Sequence, residues 1–314
     1  MLAIPILLLL LIFKKISYLQ AGKIVLNILA SLYILFYVLW GKIYPSGENN
    51  FTKLALRCLL VESGDQKILI ETGIGNHYRE KKLQNNGVTS VYELEKSLIK
   101  NGISSDEITD VFLTHLHWDH CTGAVKSTDD GLQLTFQNAN IWCGKTQWVH
   151  AKVSNIREQA AYHREALDFM FGSGKLNRVE KEGELFHGIE VRFFDGHTPG
   201  QMLPFIRTAD KTFVYTSGLV PTAANISLLW IASYDLDPVK VMEEKQAFLV
   251  EAAEKNYNLF FEHDYYTECA TVKNKESRIK VKNILSPICI EVLISDAQII
   301  NEVAWVLIFY QLFG

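Results

Sequence analysis

The spacing of apolar and polar residues predicts alternating strands and helices through the middle of the chain. Residues 54–62 (LALRCLLVE) and 67–71 (KILIE) are aliphatic runs on either side of Ser63-Gly64-Asp65, and predict a hairpin. Residues 91–100 carry Leu94 and Leu98 four apart, the spacing of one helix face. Residues 110–113 (DVFL) read as a short buried strand that runs straight into a histidine-rich loop. Residues 145–170 are mixed, with helical spacing. Residues 189–194 (IEVRFF) alternate and stop at Asp195-Gly196, and residues 212–216 (TFVYT) form another strand. Residues 238–255 predict a helix with Pro238 in its first turn and Val241, Met242, Ala247, Phe248 and Ala252 on one face. Residues 258–261 (NLFF) are a buried strand leading to Glu262-His263-Asp264.

Both ends break this pattern. Residues 1–47 contain no Asp or Glu, and their only charged side chains are Lys14, Lys15, Lys23 and Lys42. Two apolar runs lie there, residues 2–13 and 24–40, the second at the lower edge of the ~20 residues a spanning helix needs. They predict either a membrane anchor or a buried helix or strand pair, and hence a membrane-associated or a cytoplasmic protein. Residues 284–314 contain no Lys or Arg, and their apolar run 305–313 is too short to span. It would pack on the domain or on a neighbour. The expected division is an apolar segment 1–40, a domain 41–283 and an apolar tail 284–314.

Charge narrows the function classes. Lys plus Arg is 31 against 35 Asp plus Glu, a formal net charge of −4, which argues against a nucleic-acid partner held by a basic surface. The five cysteines are scattered with no CxxC pair, so free buried thiols are expected, Cys121 among them as a small packed residue.

The chemistry concentrates in Thr114-His115-Leu116-His117-Trp118-Asp119-His120. Three imidazoles and a carboxylate within six residues, directly after a buried strand, suit Zn²⁺, with Fe²⁺ or Mn²⁺ as alternatives. On extended backbone His115 and His117 point the same way, while Asp119 and His120 lie past the bend. Further ligands are expected from other strand ends. Gly196-His197-Thr198-Pro199-Gly200 and Glu262-His263-Asp264 both follow predicted strands. His77, His150, His163 and His187 read as surface or hydrogen-bonded histidines, and Trp118 as a pocket-mouth or packing residue.

THLHWDH, then GHTPG, then a strand-terminal His resembles the metallo-β-lactamase superfamily, over about residues 38–282. The resemblance implies an α+β fold, an αββα sandwich of two mixed β-sheets flanked by helices, with metals at one edge. It is nearer to the lactonase-like branch, which includes quorum-quenching acyl-homoserine-lactone hydrolases, through VLWGKIYPSGENN, LALRCLLVESGDQKILIETGIG, GLVPTAANI and FFEHD. Carried over, His115, His117 and His197 would hold a first metal, and Asp119, His120 and His263 a second. The family's bridging aspartate falls at Gly218 in YTSGLVPT, so zinc should be held firmly at one site and weakly at the second. On this reading Gly218→Asp should raise metal stoichiometry. The family's D-T-G turn is Glu71-Thr72-Gly73, and Asn225 stands where related sequences often have His.

The implied activity is hydrolysis of a small-molecule ester or lactone, a metal-bound hydroxide attacking the carbonyl. Asp119 would pass the nucleophile's proton to the leaving alkoxide, and Tyr234 could stabilise the oxyanion. Two alternatives stand beside it. One is a mono-metal dioxygenase or thioester hydrolase on the same fold. The other is a degenerate inactive member, suggested by Gly218. No oligomeric state follows from the sequence. Residues 16–23 (ISYLQAGK) resemble the first strand of such domains, and the Lys-rich residues 273–282 a solvated strand edge.

Overall fold

The structure is a computed structural model of the 314-residue chain. It describes residues 51–89, 94–276 and 278–285, the backbone of 290–292 and 304–312, and residues 23, 27, 39–45 and 47 near the N-terminus. Two units are present, Met1–Thr52 and Lys53–Gly314. In the first, Trp40–Ile43 forms a helical turn on which the Trp40 and Tyr44 rings stack at 5.9 Å. Residues 2–13, most of 24–40, and the expected first strand at 16–23 apart from Lys23 lie outside the described residues. Among the described residues no helix is long and apolar enough to cross a membrane.

The second unit holds the strands. In chain order they are β1 (Ala55–Ser63), β2 (Gln66–Ile70), β3 (Asp110–Phe112), β4 (Val125–Thr128), β5 (Gly131–Leu134), β6 (Asn140–Gly144), β7 (Leu176–Val179) and β8 (Gly183–Phe186). They continue with β9 (Ile189–Phe194), β10 (Gln201–Arg207), β11 (Thr212–Tyr215), β12 (Asn258–Phe260), β13 (Cys269–Lys275), β14 (Arg278–Leu285), β15 (Ile290–Val292) and β16 (Ala304–Leu312). One sheet runs β15-β16-β1-β2-β3-β6-β7 and the other β14-β13-β12-β11-β10-β9-β8, with β4 and β5 as a separate hairpin. Both are mixed: β2, β3, β6 and β7 pair in parallel, as do β11 and β12, and the other neighbours are antiparallel.

Period-two alternation explains the layering. Leu59, Val61, Ile68, Ile70 and Phe112 point between the sheets and meet Val191, Met202, Tyr215 and Phe260. Their neighbours Leu60, Leu69 and Val111 point outward, against Leu94 and Leu98 of helix Leu94–Lys100 and Met170 of helix Arg164–Gly172. On the second sheet Leu203, Val214 and Leu259 face outward against Phe248, Leu249 and Ala252 of helix Pro238–Glu254. The result is the α+β architecture of helix, two mixed sheets and helix.

Three elements differ in detail from their sequence patterns. Residues 145–170 divide into helices Lys145–Lys152 and Arg164–Gly172, because 153–163 turn back and deliver Glu158 to the interior. Helix Pro238–Glu254 buries Val241, Lys245, Phe248, Leu249 and Ala252, leaving Ala247 exposed. Lys245 sits on the inner face because its ammonium donates to the Ser227 and Trp230 carbonyls at 3.2 and 2.8 Å. The C-terminal apolar run places β16 antiparallel to β1, from Ala55 opposite Leu312 to Val61 opposite Val306. The Lys-rich residues form β13 and the exposed edge strand β14, where charge discourages further strand pairing.

Candidate metal centre

The sheet edge where β3, β9 and β12 end gathers the histidines. His115 and His117 follow β3, His197 follows β9 and His263 follows β12. His120 lies in the helical turn Trp118–Cys121. That turn is stitched to the loop after β2: Thr72 N donates to the His120 carbonyl at 2.8 Å and Gly123 N to the Gly73 carbonyl at 2.9 Å. The approach is so close that a Cβ on Gly123 would lie 2.0 Å from the Thr72 oxygen. His197 is set by a loop whose Asp195 and Gly196 amides donate to the Glu244 carboxylate at 2.9 and 3.0 Å. His263 is set by β1, whose Ala55 amide donates to the His263 carbonyl at 3.1 Å.

Three groups of side chains bring one donor atom each to within 4.8 Å of one another: His115, His117 and His197; Asp119, His120 and His263; and Glu71, His115 and His120. The first two are the sets expected from the sequence. Ring centroids separate His115 from His120 by 3.9 Å, from His117 by 4.5 Å and from His197 by 4.9 Å.

Four imidazoles have one nitrogen in a hydrogen bond with the protein, and His120 Nδ1 has an ion-pair contact with Glu262. Thr114 Oγ1 lies 2.9 Å from His115 Nδ1, Glu158 Oε1 2.9 Å from His117 Nε2, and Asp235 Oδ1 2.8 Å from His197 Nδ1. The Ala55 carbonyl lies 3.0 Å from His263 Nδ1, and Glu262 Oε1 3.0 Å from His120 Nδ1. This leaves His117 Nδ1 and the Nε2 atoms of the other four as candidate donors. His115 Nε2 is buried with no hydrogen-bond partner, which is costly unless a cation takes the lone pair. Imidazole and carboxylate donors oriented from outside are the chemistry of a zinc-type site, so the residues fit such an ion.

Electrostatics separate the two halves. Burial, reinforced by the neighbouring imidazoles, holds His115 well below its ordinary range, and burial lowers His117 to about 4 despite Glu158. Both are neutral imidazoles, the form that binds metal. Burial opposes charge on His120, but Glu262 and Asp119 outweigh it and raise its proton affinity. Burial would likewise raise Asp119, yet His120, His263 and His117 hold it below its ordinary value. This half favours a positive charge, proton or metal.

Gly218 lies against His197: a Cβ there would sit 2.4 Å from His197 Cδ2 and 2.8 Å from its Nε2. The expected gain from Gly218→Asp therefore meets a steric obstacle, since His197 is tied to Asp235 and cannot move aside without losing that bond. The left-handed backbone falls on Ser217, with φ 43°, rather than on Gly218. Ser217 Oγ contacts Thr114 Oγ1 at 2.8 Å and Gln201 Nε2 at 3.1 Å, closing a buried polar chain behind His115. Asn225 accepts from Thr222 and donates to the Trp230 carbonyl, ordering the following loop. Tyr234 is 54% exposed, with its ring centroid 5.7 Å from that of His197.

Sequence reasoning missed Glu158, Asp235 and Glu71. Glu158 is buried and contacts His117, Tyr162, Thr198 and, through its second oxygen, His150. It lies 41 residues from His117 in a polar stretch that carries no motif. Asp235 is 38 residues from His197. Glu71, in the left-handed region at φ 65°, accepts from Thr114 N at 2.8 Å and turns its other oxygen, 3.7 Å from His120 Nδ1, into the buried cluster. The departure from the family's turn sequence at this residue was its only signal.

Residues 54–129 match the metallo-beta-lactamase superfamily. A probable metal-dependent hydrolase from Staphylococcus aureus is similar in structure, at TM-score 0.71 and 25% identity over 79% of this chain and 90% of that one. AidC, a dizinc quorum-quenching lactonase in complex with an acyl-homoserine product, shares the fold at TM-score 0.62 and 24% identity over 74% and 81% of the two chains. The AiiA protein of B. thuringiensis, with N-decanoyl-L-homoserine at its active site, shares it at TM-score 0.52 and 21% identity over 68% and 82%. A search of curated proteins returns no match. With the αββα sandwich and the histidines at its edge, the chain carries a metallo-β-lactamase superfamily domain, whose structural neighbours include acyl-homoserine-lactone lactonases and a metal-dependent hydrolase.

Proposed function

We propose that this protein is a metal-dependent hydrolase of small-molecule esters or lactones, with zinc firmly held by His115, His117 and His197. The observation that carries the reading is the convergence of three neutral-type donors, each oriented from behind by Thr114, Glu158 or Asp235. When bound, the metal supplies a nucleophilic water near neutral pH and polarises the carbonyl. Asp119, a largely buried anion beside the donors, would take the proton at its Oδ atoms and return it to the leaving alkoxide. Tyr234 stands at the rim beside His197, and its hydroxyl would donate to the oxyanion. Asp119, His120 and His263 would hold a second ion more weakly, since glycine at residue 218 offers no carboxylate to share.

A second reading is a mono-metal dioxygenase or thioester hydrolase on the same fold, since a one-iron enzyme needs no carboxylate at residue 218; a degenerate inactive member is the third. Elemental analysis of purified protein, followed by ester, lactone and thioester panels on zinc- and iron-loaded samples, tests the first two. Zinc with lactone or ester turnover supports the first, oxygen consumption on iron or thioester turnover alone the second, and no metal overturns both.

For residues 1–40 the proposal is membrane contact, supported by the acid-free apolar sequence. Carbonate extraction should leave the expressed protein in the pellet; recovery in the soluble fraction overturns it.

A further inference from the structure

Beside Asp119 lies a wall that the hydrolase reading does not use. Trp118 sits within the metal motif, and the Tyr78 ring meets it edge-on with centroids 5.3 Å apart. His163 packs against Tyr78 and His77, at 4.6 Å in each case. Lys82, from helix Glu80–Asn85, holds its Nζ 4.8 Å from the Tyr78 centroid and 5.3 Å from that of Trp118. Among the described residues no carboxylate lies within ion-pair distance of Lys82, although it is half-buried; burial lowers its proton affinity, and the more distant charge of Asp119 offsets only part of that. Burial, then the neighbouring His163 and Lys82, lowers His77 to about 4. His163 is lowered too, by burial and by Lys82, which leaves Lys82 as the cation of this wall.

This placement has an electrostatic consequence. A half-buried ammonium has lost part of its hydration, and aromatic faces replace only some of it. The same corner is where the metal donors gather, and a bound cation would repel Lys82. An anion arriving with the substrate relieves the part of both costs that Asp119 leaves, whereas a neutral alkyl chain would strip further water from the ammonium and give nothing back.

We propose that Lys82, seated on Tyr78 and Trp118, is a specificity-determining residue that receives a carboxylate on the non-reacting arm of the substrate. The protein then prefers esters or lactones with an anionic arm over those with a neutral acyl chain. This rests on the hydrolase reading, and the test separates the two. The zinc-loaded full chain is assayed with N-hexanoyl-L-homoserine lactone and with the same lactone whose chain ends in a carboxylate. The wild type should favour the carboxylate probe in kcat/KM by roughly ten- to a hundredfold, as one charge-assisted contact allows. Lys82→Gln should bring that ratio close to one, Lys82→Arg should keep most of it, and Lys82→Glu should invert it. An equal ratio in wild type and Lys82→Gln, or a common loss on both probes, overturns the inference while leaving the hydrolase reading intact. If neither probe is hydrolysed, the hydrolase reading is decided by the ester and lactone panel, and calorimetry with the two ring-opened products decides on Lys82. The extra carboxylate must then tighten binding to wild type but not to Lys82→Gln.

Discussion

At the candidate centre, the nitrogen facing away from each histidine's donor atom decides how well the donor is aimed. Glu158 is the most connected of these outer partners, bonding His117, Tyr162, Thr198 and His150. Glu158→Ala should weaken metal binding about 10- to 100-fold, the usual effect of losing an outer partner, with the zinc affinity read by chelator competition. Unchanged affinity would show that packing alone orients His117. Removing a donor itself is more severe: His115→Ala or His197→Ala leaves two first-site imidazoles, so metal per chain should fall to background in elemental analysis. Gly218→Asp should lower rather than raise stoichiometry, because its side chain collides with His197. Two tight ions in that variant would show that His197 can rotate without losing its role.

At the scale of elements, the site depends on loops held by neighbours far away in sequence. Helix Pro238–Glu254 contributes Glu244 to the His197 loop and Lys245 to the loop at Ser227–Trp230. Burial lowers Lys245 from its ordinary 10.5 to about 8, with Asp235 opposing the shift. Between those values the folded chain binds fewer protons at this group than the unfolded chain, so its contribution to stability rises with pH from 8 to 10.5. Lys245→Met lacks that slope. Denaturant melts at pH 8 and 10 should therefore show the wild type gaining on the variant as pH rises, and a constant difference would refute the assignment. The helix was legible in its spacing, but its buried face was not. Lys245 counted as polar in the pattern, and only the carbonyls it meets make its burial tolerable.

For the whole molecule, a metal that binds only the folded chain adds stability by mass action, about 2.7 kcal/mol when present at 100 times its Kd. Dialysis against a chelator should lower the melting temperature, and zinc should restore it. An unchanged melting curve after verified metal removal would mean that the buried histidines are satisfied without an ion.

The sequence by itself determined the alternation that builds each sheet and, through the family resemblance, the αββα class and six candidate donors that the fold gathers at one edge. Those signals are local, or recur in a family pattern: period-two strands, and histidines placed at strand ends. Only the tertiary structure decided what stands behind the ligands. Asp235, Glu158 and Glu71 lie tens of residues from the imidazoles they face, and a polar residue in a loop carries no mark of the partner that folding brings to it. Chain closure also decided the steric fate of residue 218 and the pairing of β16 with β1, since both depend on which distant segment arrives in the same space.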